Sequence, residues 1–219
     1  MNFDEMPDDA GDSLRERKKR ETRAAISAAA TALFIERGFE NVTVAEVAAA
    51  ANVAKMTVFN YFSRKEDLFF DRAGEGEALV DEGLRRRKKG QSPLVALHEI
   101  LLELIDSGHP LGKIDAGVDT FWTAVRKSPA LRARAREMQS AMENHVATKL
   151  AAAVGAPDKD PLSLLAASLL VAAWRAAYRS ALAQHVAGEK RTTVMAGYIA
   201  LVDRGFGAVH KAMKGTPYA

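Results

Sequence analysis

The chain has 219 residues, 48% of them apolar, and its 31 Lys and Arg against 28 Asp and Glu give a net charge of +3. That apolar content supports a packed core and excludes a disordered chain, in a length that suits one or two domains. With no cysteine, disulfides, thiolate metal sites and thiol redox sensing are all excluded.

Residues 1–14 hold five acids and no base, Asp4, Glu5, Asp8, Asp9 and Asp12, and read as a disordered acidic leader. They lack the basic start and apolar run of an export signal, so a cytoplasmic location is expected. Charge then reverses. Residues 13–65 carry ten bases against five acids, with Arg15, Arg17, Lys18, Lys19, Arg20 and Arg23 gathered at the opening of a helix predicted over 18–37. Such a cluster neutralises phosphates by counterion release; a solvated helix start is the bland alternative.

Thr43 followed by Glu46 has the spacing of a capping box, which starts a helix over 44–51. Asn52 tolerates turn geometry. The next helix, 55–61, sets Val58 and Phe62 four apart and inward, and Ser63 followed by Glu66 repeats the box. Two short helices on a tight turn form a helix-turn-helix, which points to DNA. Opposite Val58 and Phe62 lie Met56, Thr57 and Asn60, with Lys55, Phe59 and Tyr61 on the rims. Asn pairs bidentately with adenine, Thr and Met touch the thymine methyl, and Lys reaches guanine or phosphate. Lys55 and Tyr61 stay open between base and phosphate.

Residues 17–68 form one ungapped block: the Arg-rich start, Ile26, Ala30, Leu33, Phe34, the stop Arg37-Gly38-Phe39, Thr43, Val47-Ala48, Val53, Lys55, Thr57, Tyr61-Phe62 and Lys65-Glu66-Asp67-Leu68. The block resembles the N-terminal domain of the TetR family of bacterial transcriptional regulators. Three positions depart from the family pattern. Phe59 stands where Tyr is frequent and lacks its hydroxyl for a phosphate. Ala54 replaces a Ser or Thr cap, a loss of ~1 kcal/mol. Met56 replaces a small residue and changes how the helix sits in the groove. The resemblance implies an all-α fold, a three-helix head at 15–63 and a six-helix ligand-binding and dimerisation body at 64–219. The DNA-contacting set expected on it is Arg17, Lys18, Arg20, Thr43, Lys55, Met56, Thr57, Asn60, Tyr61 and Lys65.

Body helices are predicted over 64–87, 93–106, 111–126, 128–154, 161–187 and 191–213. Ser92-Pro93, Ser128-Pro129 and Asp160-Pro161 place a capper before a helix-opening Pro. The basic run Arg85–Lys89 fits a helix C-terminus, with DNA contact the lesser alternative. Residues 162–174 are apolar nearly all round, with small residues Ala166, Ala167, Ala172 and Ala173 that permit close approach. A homodimer through the last two helices, as the resemblance implies, covers them. Arg175 and Arg179 interrupt this stretch, so no membrane span is expected.

A small-molecule effector implies a pocket, and the candidate lining is Phe69, Phe121, Trp122, Met138, Met142, Trp174 and Tyr178, with His98, His145 or Arg175 as polar groups. The plain alternative is that helically spaced aromatics are core. Arg175 in an apolar helix needs a partner, either an acid across a dimer or an anionic ligand. No enzyme is expected. There is no Gly-x-Ser-x-Gly elbow, Gly74-x-Gly76 lacks a third glycine, and Leu102 stands where a His98-Glu99 zinc motif needs its second His. No cofactor or metal is expected either. The function expected is a repressor released from a palindromic double-stranded DNA operator by an apolar or amphipathic molecule. An architectural DNA-binding protein without an inducer is the alternative.

Overall fold

The computed structural model describes residues 14–219, so the expected leader lies outside the described residues except for Leu14, which opens the first helix. Ten helices and no strand occur among the described residues: α1 Leu14–Arg37, α2 Val44–Ala50, α3 Lys55–Tyr61, α4 Lys65–Phe69, α5 Ala73–Arg85, α6 Pro93–Asp106, α7 Ala116–Lys127, α8 Pro129–Val154, α9 Pro161–Val186 and α10 Arg191–Ala212. They fall into two compact units that meet in sequence between Asp71 and Arg72.

In the first unit α1 buries Ile26, Ala30 and Phe34, four residues apart and therefore on one stripe. α2 and α4 pack on α1 and α3 packs on α2, with Val47, Ala48, Val58 and Leu68 all buried. The turn between α2 and α3 depends on Asn52, whose φ of 54° is a left-handed conformation that Asn accepts at low strain.

The sequence predicts one helix over 64–87; the structure breaks it into α4 and α5. Asp71 lies at the break, held to α1 by two bonds. The Ser27 hydroxyl donates to its carboxylate, and the Arg23 guanidinium donates to its carbonyl at 3.0 Å. These tertiary bonds override the local preference. The cap of α4 also shifts by one residue from the predicted Ser63 and Glu66. Arg64 N–H donates to the Asp67 carboxylate at 3.2 Å.

In the second unit the three capper-proline pairs start α6, α8 and α9 as predicted, with Ser92, Ser128 and Asp160 accepting from first-turn backbone N–H groups. By contrast α7 begins five residues later than predicted, because Asp115 caps it through the Val118 N–H at 3.0 Å. Just before it, Gly112 lies so close to the Leu104 backbone that a Cβ would stand 2.8 Å from it.

The body core is built on α9, packed between α8 and α10. Its buried arc, Ala166, Ala167, Leu170, Ala177 and Ala181, meets Val194, Tyr198, Val202 and Phe206 of α10. The α9–α10 approach is tight: a Cβ at Gly205 would stand 2.7 Å from the Ala173 Cβ. After α10 the chain folds back. Tyr218 is buried, its hydroxyl donates to Asp160 at 2.8 Å, and its carbonyl accepts from Ser92 at 2.7 Å. One premise needs correction: by length and composition alone α9 reaches the threshold of a membrane-spanning helix, with a mean hydropathy of 1.3 in its best window, although it carries Arg175 and Arg179. A third of that window is buried inside the body.

Candidate nucleic-acid interface

The helix-turn-helix is fixed by its end chemistry. Thr43 N–H donates to Glu46 at 2.8 Å, and Glu46 N–H donates back to the Thr43 hydroxyl at 3.3 Å, which satisfies two exposed donors at the start of α2. The Thr43 backbone bond, then its hydroxyl, hold the Glu46 carboxyl below its ordinary range. Arg37 adds a bond to the same carboxylate at 3.1 Å. The Thr43 hydroxyl is thus committed to the cap rather than pointed at DNA alone. Helix α3 has no such device, since Ala54 offers no side-chain cap; it is held instead by burial of Val58 and Phe62.

With that face inward, α3 presents Lys55, Met56, Phe59 and Asn60 to solvent, Met56 at 69% exposure, with Thr57 and Tyr61 half-buried at the edges. The Lys55 ammonium sits 5.9 Å from the Phe59 ring centroid, so Phe59 supports a cation in place of a hydroxyl contact. Arg17, Lys18 and Arg20 lie exposed in the opening turns of α1, which begins four residues earlier than predicted and therefore contains the basic cluster. Arg17 also pairs with Glu21 at 3.6 Å. Lys65 is half-buried. Its ammonium lies 4.2 Å from the Phe39 ring centroid and 3.5 Å from the Glu40 carbonyl.

Arg23 differs from the rest of the basic cluster, because its guanidinium is spent on the carbonyls of Tyr61 and Asp71. Nothing local in the sequence marks those partners, which lie 38 and 48 residues away.

The residues suggested for an effector scatter over several environments. Phe69 belongs to the first unit, where its ring packs with Phe34, Phe39 and Phe70, whereas the rest of the suggested set belongs to the second. His98 stacks on Phe206 and bonds Asp203 at 2.9 Å, tying α6 to α10. His145 bonds Asp81 at 2.8 Å beside Lys149, and Lys149, then His145, hold that carboxyl below its ordinary range. Met138 and Met142 are half-buried on α8, the Met142 methyl fitting against Gly76.

What does come together is an aromatic quartet. Trp122 N–H donates to the Tyr178 hydroxyl at 3.4 Å and Trp174 N–H to the Tyr198 hydroxyl at 3.2 Å, while the Tyr178 and Tyr198 rings meet edge-on at 6.1 Å. Phe121 lies edge-on to Trp122. Tyr198, absent from the sequence-derived set, is the most buried of the four, and desolvation raises both phenol pKa values. Arg175 is half-buried beside this group, with no hydrogen bond or ion pair among the described residues. Two solvent-open concavities indent the body, about 320 Å³ by Asp81, Arg85, Arg87 and Lys149, and about 140 Å³ by Arg86, Gln91 and Glu103. Neither is lined by a residue of the suggested effector set. The basic run Arg85–Lys89 lies there. Arg86 pairs with Glu103 at 2.8 Å, and Arg87 donates to the carbonyls of Gln91 and Ala153.

Comparison with known proteins agrees with this geometry. Residues 26–71 match the family model of bacterial regulatory proteins of the tetR family, and residues 124–207 match that of the MftR C-terminal domain. The HTH-type transcriptional regulator TcmR of Streptomyces glaucescens is 29% identical over 148 residues, 66% of this chain and 66% of the relative, so the match spans just under two thirds of TcmR. Among solved structures, FadR of Thermus thermophilus, a TetR family transcriptional repressor in complex with lauroyl-CoA, shares 23% identity and a TM-score of 0.54 over 87% of this chain and 94% of its own. The complex of SmeT with triclosan has the same TM-score at 15% identity, over 86% of this chain and 91% of its own; SmeT represses a multidrug efflux pump of Stenotrophomonas maltophilia. Both share the fold.

Proposed function

Since this chain belongs to the TetR family of bacterial transcriptional regulators, we propose that it is a dimeric repressor released from a palindromic operator by an apolar or amphipathic molecule. The observation that carries the DNA half is the outward face of α3, with Lys55, Met56 and Asn60 exposed on a helix whose other face is buried. Asn60 and Met56 meet base edges in the major groove, and Arg17, Lys18 and Arg20 meet phosphates. The recognition part then extends beyond the expected 15–63 to Asp71, because α4 packs on α1, and residues 72–219 carry regulation and dimerisation.

Dimerisation is supported by α9. Leu162, Leu165, Leu169, Ala172 and Ala176 lie exposed at alternating three- and four-residue steps, an apolar stripe that the exposed Arg179 ends. A second copy of the same stripe covers it.

The effector half is supported by the aromatic quartet and by relatives solved with lauroyl-CoA and triclosan, an amphipathic and a small aromatic molecule. The rings of the quartet contact one another, which favours the second reading, a DNA-binding protein without an inducer. One titration separates them. The chain has two tryptophans and both belong to the quartet, so intrinsic fluorescence reports on it alone. With a panel of aromatic and acyl compounds, the inducer reading predicts joint fluorescence change and operator release, with a coupling of about 1–3 kcal/mol. Trp122→Ala and Trp174→Ala then weaken the response and leave effector-free DNA binding nearly intact. Operator binding indifferent to every compound that perturbs the tryptophans supports the constitutive reading.

A further inference from the structure

Arg23 carries the same charge as its neighbours in the basic cluster and is exposed like them, yet its guanidinium is bonded to the protein. One nitrogen donates to the Tyr61 carbonyl at 3.1 Å, the other to the Asp71 carbonyl at 3.0 Å, and the Phe62 ring lies 4.3 Å beneath. Tyr61 is the last residue of α3, so its carbonyl has no partner within the helix and a cation there complements the helix dipole. Asp71 is the last residue of the first unit. One turn along the same face of α1, Ser27 donates to the Asp71 carboxylate, so α1 grips that residue by carbonyl and carboxylate together. Phe62, the residue that turns the chain out of α3, is buried under the guanidinium.

We propose that Arg23 is a positioning residue for DNA reading: its planar fork fixes the end of α3 relative to the chain's exit from the head, and it contributes no phosphate contact. A fork with two parallel donors sets an angle as well as a distance, which a point charge does not. Burial of Val58 and Phe62 seats α3, which has no side-chain cap at its start, and the Arg23 bond adds a fixed point at its carbonyl end. The inference rests on the DNA-reading role of α3 and on no effector.

The test uses the full-length protein, a duplex enriched by it from random-sequence DNA, and an unrelated duplex of equal length, across a range of salt concentrations. Arg23→Gln is expected to lower affinity for the enriched duplex about tenfold while the unrelated duplex and the salt slope stay unchanged, since no phosphate contact is lost. Arg23→Lys keeps the charge but does not span both carbonyls, and is expected to behave like Arg23→Gln. Should the glutamine variant unfold the head, the lysine variant decides. A phosphate role gives the opposite pattern, which overturns the inference: both duplexes weaken together, the salt slope falls by about one, and lysine rescues. Full retention of preference for the enriched duplex in both variants overturns it as well. Asn60→Ala runs in parallel; if that variant also keeps the preference, the reading role of α3 itself fails, a result separable from failure at Arg23.

Discussion

Tyr198 is 1% exposed, and its hydroxyl accepts from the Trp174 N–H with burial as the larger influence on its proton. A phenol in the unfolded chain ionises near pH 10, whereas Tyr178 and Tyr198 hold their protons beyond that. Above pH 10 the folded chain therefore binds more protons than the unfolded one, and stability falls as pH rises. Below about pH 9 both states are protonated and the contribution is flat. Urea unfolding at pH 8 and pH 10.5 should show a smaller alkaline loss for Tyr198→Phe than for the parent chain; equal losses would show that this phenol does not set the slope. Asn60 makes a different demand. Exposed on α3, it should contribute about 1–3 kcal/mol at one adenine position when cut to Ala, with other positions unaffected. A uniform loss across sequences would mean that α3 sits in the groove in another orientation.

At the scale of elements, the Thr43 box should contribute about 1 kcal/mol to the head, so Thr43→Ala lowers stability by that order without moving the body's unfolding. The α9–α10 approach predicts a larger effect. Gly205→Val places methyl groups where Ala173 already stands, and overpacking of this kind costs about 1–3 kcal/mol. Calorimetry should find a lower midpoint for the body transition; an unchanged midpoint would show that the two helices separate freely. Short-range chemistry made most elements legible beforehand. A capper before Pro93, Pro129 or Pro161 acts within one turn, and so does the Thr43 box, so the sequence shows the helix start directly. The break at Asp71 was not legible, because the bonds that make it come from Arg23 and Ser27 on another helix. Tyr198, the fold-back of Tyr218 and the position of Phe69 share that cause, since each is decided by partners distant in sequence.

For the whole molecule, the account rests on the α9 stripe finding its copy, and the exposed leucines there give the association a means of being broken. Leu165→Asp, at a position 47% exposed in the single chain, buries an unpaired charge only if the dimer forms there. Sedimentation should report a monomer for Leu165→Asp and a dimer for the parent chain; a dimer in both would move the interface elsewhere. The most direct measurement of the central claim is a footprint of the full-length protein on DNA that it has itself enriched. A dimer carrying one α3 per chain predicts protection of two inverted half-sites with centres about one helical turn apart, near 34 Å, or somewhat further on deformed DNA. Protection of a single asymmetric half-site by one chain would contradict it.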